Sequence, residues 1–96
     1  MNSIVNVNYS IVAFVSGDQI LDTSSSLLGY VRGDEVYDSR HNRVGKIQGD
    51  EVFNSSYSRV GFIKGKEIYK DSWSPPVGYF EGNKAIGAAA ILLSVL

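Results

Sequence analysis

The stretch LLGYVRGDEVYDSRHNR, residues 27–43, runs directly into VGKIQGDEVFNSSYSR, residues 44–59, which repeats it at a distance of 16 residues. Looking for repeats before assigning elements matters, because a missed repeat misassigns the whole fold. Extending the register in both directions gives five copies beginning at Val12, Leu28, Val44, Val60 and Val77, with steps of 16, 16, 16 and 17. They read VAFVSGDQILD, LGYVRGDEVYD, VGKIQGDEVFN, VGFIKGKEIYK and VGYFEGNKAIG. Gly17, Gly33, Gly49, Gly65 and Gly82 each precede Asp, Lys or Asn. Glycine as the first central residue suits a type II′ turn, so each copy reads as strand, two-residue loop, strand.

With Gly33 and Asp34 as the loop, Arg32 pairs with Glu35, Val31 with Val36 and Tyr30 with Tyr37, and the pleat sends successive pairs to opposite faces. The same template sets opposite charges face to face at Lys64 and Glu67 and, with signs reversed, at Glu81 and Lys84. Such pairs add only about 0.2–1 kcal/mol each, so they check the register more than they stabilise the sheet. One face carries Val15 with Ile20, Val31 with Val36, Ile47 with Val52, Ile63 with Ile68 and Phe80 with Ala85. Ala13 and the glycines at 29, 45, 61 and 78 share it and point it at a crowded centre. The other face carries Phe14, Leu21, Tyr30, Tyr37, Lys46, Phe53, Phe62, Tyr69, Tyr79 and Ile86. Polar connectors such as DTSSS, DSRHN and NSSYS suit turns closed by side chain to backbone hydrogen bonds. Two-stranded ribbons are not stable alone. The expected fold is therefore an all-β domain of five β-hairpin repeats arranged radially or as a closed meander. Its repeats are 12–27, 28–43, 44–59, 60–76 and 77–87, and they form a single domain spanning residues 1–96.

This pattern resembles the β-flower domains of bacterial proteins, whose repeats run from an aromatic and acidic pair through a polar turn to Val-Gly and the next hairpin. The matching residues are Tyr37 and Asp38 before Val44 and Gly45, Phe53 and Asn54 before Val60 and Gly61, and Tyr69 before Val77 and Gly78. Five copies are similar to a five-fold flower, with short hairpins set like petals about an axis. The resemblance implies no catalytic residues. The chain departs from it in the connectors, where His41, Asn42, Tyr57 or Trp73 stand in the region of a common glycine and Lys70 replaces the turn acid.

Residues 88–96 continue the last copy as a short apolar C-terminal tail, expected to be helical and broken only by Ser94. As a helix it would span about 14 Å at 1.5 Å per residue, too short for a hydrocarbon core of about 30 Å, so no membrane span is expected within the chain. Three places could bury it: the domain's own open end, another copy of the chain, or a membrane surface. An apolar tail on a small domain without disulfides favours association, and the expectation is a homo-oligomer.

The 96 residues hold no cysteine and carry a net charge of −1, with a pI near 5.7. A disulfide framework and a thiolate zinc site are excluded. No nucleic acid is expected, since phosphate backbones call for clustered Lys and Arg. The N-terminus has neither a basic region nor a cleavage site, and the expected location is cytoplasmic. His41 is the only histidine and lies in a connector. Asp18, Asp34 and Asp50 occupy equivalent tip positions that would hold a hard cation if the tips converged, but turn chemistry already accounts for them. No nucleophile elbow, phosphate loop or metal motif is present, so no catalysis, metal or cofactor is expected. The candidate interface is the aromatic row Tyr30, Tyr37, Phe53, Phe62, Tyr69 and Tyr79, with Trp73 beside it and Ile91, Leu92 and Leu93 in the tail. Its expected role is structural or protein-interacting. The alternative is a stacking platform for a small ligand or single-stranded nucleic acid beside Lys46, Lys64 and Arg59.

Overall fold

Gly17, Gly33, Gly49 and Gly65 all adopt φ between 60° and 63°, while the Asp or Lys that follows stays out of the left-handed region. This is the backbone of a type II′ turn. The four hairpins it closes have the expected register, with Tyr30 opposite Tyr37, Val31 opposite Val36 and Arg32 opposite Glu35 in the second copy. The computed structural model describes residues 2–96. Its strands are β1 (Asn2–Asn6), β2 (Ile11–Ser16), β3 (Gln19–Leu21), β4 (Leu27–Arg32), β5 (Glu35–Asp38), β6 (Arg43–Gln48), β7 (Glu51–Asn54), β8 (Arg59–Lys64), β9 (Glu67–Tyr69) and β10 (Gly78–Phe80). A single helix, α1, spans Lys84–Leu92. The ten strands form one closed antiparallel barrel, a meander in which β1 joins β10 to β2. Each tip also clasps its neighbour: the Val31, Ile47 and Ile63 amides donate to the carbonyls of Asp18, Asp34 and Asp50 at 2.8 Å.

The fifth petal corrects the sequence reading. Residues 84–87, expected as a returning strand, belong to α1. Gly82 turns the chain at φ 102°, and Asn83 caps the helix by accepting a hydrogen bond from the Ala85 amide at 2.9 Å. The alanine-rich run that follows has the strongest helix propensity in the chain. The missing strand comes instead from the N-terminus, where β1 pairs Ile4 with Phe80, Val5 with Tyr79 and Asn6 with Gly78. The inward residues of the second strands are thus Ile4, Ile20, Val36, Val52 and Ile68, at a constant spacing of 16. All five have 0% exposure.

The expected charge pairs also change partners. Lys84 is in α1 and its ammonium bonds the Asp50 carboxylate, while the Glu81 carboxylate accepts from the Ser3 hydroxyl at 3.5 Å. Arg32 and Lys64 do stand opposite Glu35 and Glu67 in the ladder. Glu35 instead accepts from Arg43 at 3.0 Å, Arg32 lies 3.7 Å from Asp18, and Glu67 accepts from the Tyr69 hydroxyl at 2.8 Å. In a closed sheet every strand has two neighbours, so a long side chain can reach across to the adjacent hairpin.

Strict alternation would place Val12, Leu28, Val44 and Val60 outside with the aromatic residues. They are β-bulge residues instead. Gly29 pairs with Ile20 and Leu27 with Leu21, leaving Leu28 without a partner, and the same shift recurs at Val12, Val44 and Val60. A bulge re-aims the side chain it carries. These four, together with Val77, pack against the core at the connector end of the barrel.

The helix fills the interior. After Lys84 it is apolar all round, and Ala88, Ala89 and Ala90 are 0% exposed because a barrel interior crowded with aliphatic side chains has room only for a slim helix. At its C-terminal end and just beyond, Ile91 lies on Gly61, Leu92 on Gly45, Leu93 on Gly29 and Leu96 on Gly78. The tail therefore closes its own barrel, the first of the three placements considered from sequence. Among the described residues, no helix is long and apolar enough to cross a membrane.

Candidate interaction surface

Four of the five connectors share one construction, which gives the side chain to backbone hydrogen bonds expected of these polar turns a common geometry. Asn6, Asp22, Asp38 and Asn54 each accept two backbone N–H bonds, from the residues two and four places on, at 2.8–3.1 Å. The residue three places on then adopts positive φ: Tyr9 at 63°, Ser25 at 68°, His41 at 67° and Tyr57 at 62°. The left-handed conformation costs a non-glycine residue about 1–2 kcal/mol. The doubly bonded Asx side chain holds the backbone there. The legible signal was Asn6 to Tyr9 matching Asn54 to Tyr57, three residues from cap to ring in both.

Aromatic and imidazole rings at this position fold back over the barrel wall. His41 stacks on Tyr30 with centroids 4.2 Å apart, and Tyr9 on Tyr79 at 5.1 Å and 5° between planes. Tyr57 lies under the Lys46 ammonium at 4.9 Å. Cations cover the wall elsewhere: Arg32 lies 5.8 Å from the Tyr30 ring and 5.9 Å from Tyr37, Arg59 is 4.5 Å from Phe62, and Lys64 is 5.4 Å from Tyr69. Tyr30, Tyr37, Phe53, Phe62, Tyr69 and Tyr79 are thus all half-buried on the outer wall, as the pattern implied, and most are covered by the chain's own side chains. Ile91, Leu92 and Leu93 lie apart from them, at the base of the barrel with Val12, Leu28, Val44, Val60 and Val77, all half-buried.

Trp73 differs from the other connector rings. The fifth connector, between β9 and β10, belongs to a repeat one residue longer, and Asp71, not Lys70, supplies its acid. The Asp71 carboxylate accepts from the amides of Trp73 at 3.0 Å and Ser74 at 2.7 Å. Pro75 and Pro76 follow, and Trp73 is 93% exposed. The other exposed large hydrophobic residues, Val7, Tyr9, Ile11 and Tyr57, also lie in connectors or at a strand end beside one. The opposite end of the barrel presents the polar tips. Asp18 there faces Arg32 and Asp50 faces Lys84, and among the described residues no three acidic or imidazole groups come together. A depression of about 140 Å³ on the β1–β10 seam is lined by Ser3, Val5, Tyr79, Phe80 and Glu81. It is smaller than the ligand pockets of about 300–1,000 Å³ found in most binding proteins.

The polar contacts on the wall shift its titrations. Hydrogen bonds from Arg43 and then Tyr37 hold the Glu35 carboxyl below its ordinary value, and backbone hydrogen bonds from Asn42 and Arg40 do the same for Asp38. The Ser74 side chain and amide lower Asp71. Donation to Glu35 raises the Tyr37 hydroxyl, donation to Glu67 raises Tyr69, and burial with the neighbouring Tyr9 raises Tyr79. A depressed carboxyl stabilises the fold above its unfolded pKa of about 4 and ceases to as pH falls through the lower folded value. A raised tyrosine stabilises it below about pH 10 and ceases to as pH rises through the higher folded value. The expected profile of Tm against pH is a plateau from about pH 5 to 9 with a fall on each side. Replacing Glu35 with Gln should flatten the acid limb, and an unchanged acid limb would show that Glu35 carries none of it.

A sequence model described as 5-fold beta-flower protein matches residues 1–93. No curated protein and no solved structure matches the chain. The match includes the N-terminal strand that completes the fifth petal and most of the helix and tail that fill the ring. With five petals, the closed meander and the family match all in agreement, the chain belongs to the 5-fold beta-flower protein family.

Proposed function

We propose that this protein is a non-enzymatic interaction module that self-associates, and that its connector end is the docking face. One observation carries the reading. Val7, Tyr9, Ile11, Tyr57 and Trp73, the large hydrophobic residues left exposed among the described residues, all lie at the connector end, beside a half-buried aliphatic base. Exposed apolar side chains gathered at one end, opposite tips that carry none, are how soluble domains present a contact surface. The aromatic wall fits that role less well, and it also fits poorly as a stacking platform for a ligand or for nucleic acid. Its rings are already covered by Arg32, Arg59, Lys64 and His41.

The test is solution mass by light scattering across a concentration series. The wild-type chain is compared with Ile11→Ser combined with Tyr57→Ser, two exposed positions whose replacement leaves the core intact. The wild type should show a mass above that of one chain at high concentration, and the double variant should remain at one chain. A wild-type mass of one chain throughout would refute self-association.

A further inference from the structure

Three of the connector rings are partnered within the chain: Tyr9 by Tyr79, His41 by Tyr30 and Tyr57 by Lys46. Trp73 is not folded back in this way. Phe62, the wall residue of its own repeat, is already covered by Arg59 at 4.5 Å, and Trp73 stays 93% exposed. Pro75 and Pro76, one residue further on, fix φ and remove two donors, which stiffens the segment that presents the indole. A tryptophan held out on a stiff connector, at the same end as an aliphatic base, has the properties of an interface anchor.

We infer that Trp73 of each molecule seats on the aliphatic base of a second copy, with the contact reciprocated about a two-fold axis. This rests on the self-association proposed above and names the residue and the surface that meet. Two observations favour a second copy over a foreign partner. The molecule is 33 × 30 × 18 Å, and strands of at most six residues make a barrel wider than it is tall, so its end is the broad face. The outline of that end encloses roughly 780 Å², so a contact over nearly the whole of it would reach the about 800 Å² per partner that a standard stable interface buries. The charges at this end are also nearly balanced, with Arg40, Arg43, Arg59 and Lys70 against Asp22, Asp38 and Asp71. A two-fold contact brings like surfaces together, and only a nearly neutral face tolerates that.

Because Trp73 is the only tryptophan in the chain, its fluorescence reports on this contact without labelling. Emission maximum and acrylamide quenching are read on the same concentration series whose mass is measured by light scattering. The expected result is a doubling of mass accompanied by a blue shift and loss of quenching, and a dissociation constant about 30-fold weaker in Trp73→Ala. Mass that doubles while the emission stays that of a water-exposed indole would overturn the role of Trp73 and leave self-association standing. So would a Trp73→Ala constant within two-fold of the wild type. Mass that stays at one chain would overturn both.

Discussion

Deleting residues 1–6 is expected to leave a chain that does not fold as a monomer. The fifth petal is shared between the two ends of the sequence, and β1 is its second strand. Its removal takes away three ladder partners on the β10 side and four on the β2 side, and it opens a closed barrel into a sheet with two bare edges. It also removes Ile4, one of five equivalent inward residues with 0% exposure, and uncovers the side of an apolar helix that has no polar face to show water. A milder version is Ile4→Ala, which keeps the strand and creates a cavity in the core, at a cost of about 2–5 kcal/mol. Chemical denaturation followed by near-ultraviolet circular dichroism reads both. Cooperative unfolding of the deleted chain at the wild-type midpoint would show that the ring does not depend on this closure.

The second large effect concerns the repeated glycines. An added Cβ at Gly45 would run into the Phe53 carbonyl oxygen and lie 2.7 Å from a Leu92 methyl. Gly45→Ala is therefore expected to lose at least about 3 kcal/mol, the upper range for overpacking. Gly49→Ala provides the contrast, because nothing lies within 4 Å of its Cβ and the cost comes only from φ 63°. That cost is about 1–3 kcal/mol. Adding Leu92→Ala to Gly45→Ala should not restore stability, since the carbonyl that blocks the methyl belongs to the backbone of the neighbouring strand. Rescue by the double substitution would mean that the tail alone sets the requirement for glycine. Equal losses at Gly45 and Gly49 would mean that close packing is not what these glycines serve.

Both effects bear on what could be read from the sequence. The 16-residue register, the type II′ tips and the inward ring from Val15 to Phe80 were legible because hairpin geometry ties residue type to position. The completion of the fifth petal was not. EGNKAI matches the turn template, and only the alanines after it reveal that the chain turns into a helix. Ser3-Ile4-Val5-Asn6 lacks a turn glycine, although Ile4 stands 16 residues before Ile20. The bulge residues were hidden for a different reason. A two-residue alternation cannot count an unpaired residue, so it puts Leu28 and its equivalents on the outer wall, and only the pairing shows that they are bulged toward the core.

The candidate surface was legible in composition but not in arrangement. The aromatic row was identifiable from the pleat, whereas its covering by His41, Arg32 and Arg59 depends on left-handed connectors and cross-hairpin reach that propensity does not encode. The tail was visibly apolar. That it fills its own barrel follows from the glycines at 29, 45, 61 and 78, whose bare backbones receive its side chains. Once the tail is used internally, the apolar surface left for another molecule is the connector end and the base it surrounds.

Amide chemical shifts followed over a concentration series test that assignment most directly, because they report on both ends of the barrel in one experiment. The connector residues 6–10, 22–26, 38–42, 54–58 and 70–76 should shift or broaden as concentration rises. The tips at 17–18, 33–34, 49–50 and 65–66 should not move. Shifts centred on the tips, or spectra that do not change with concentration, would contradict a docking face at the connector end.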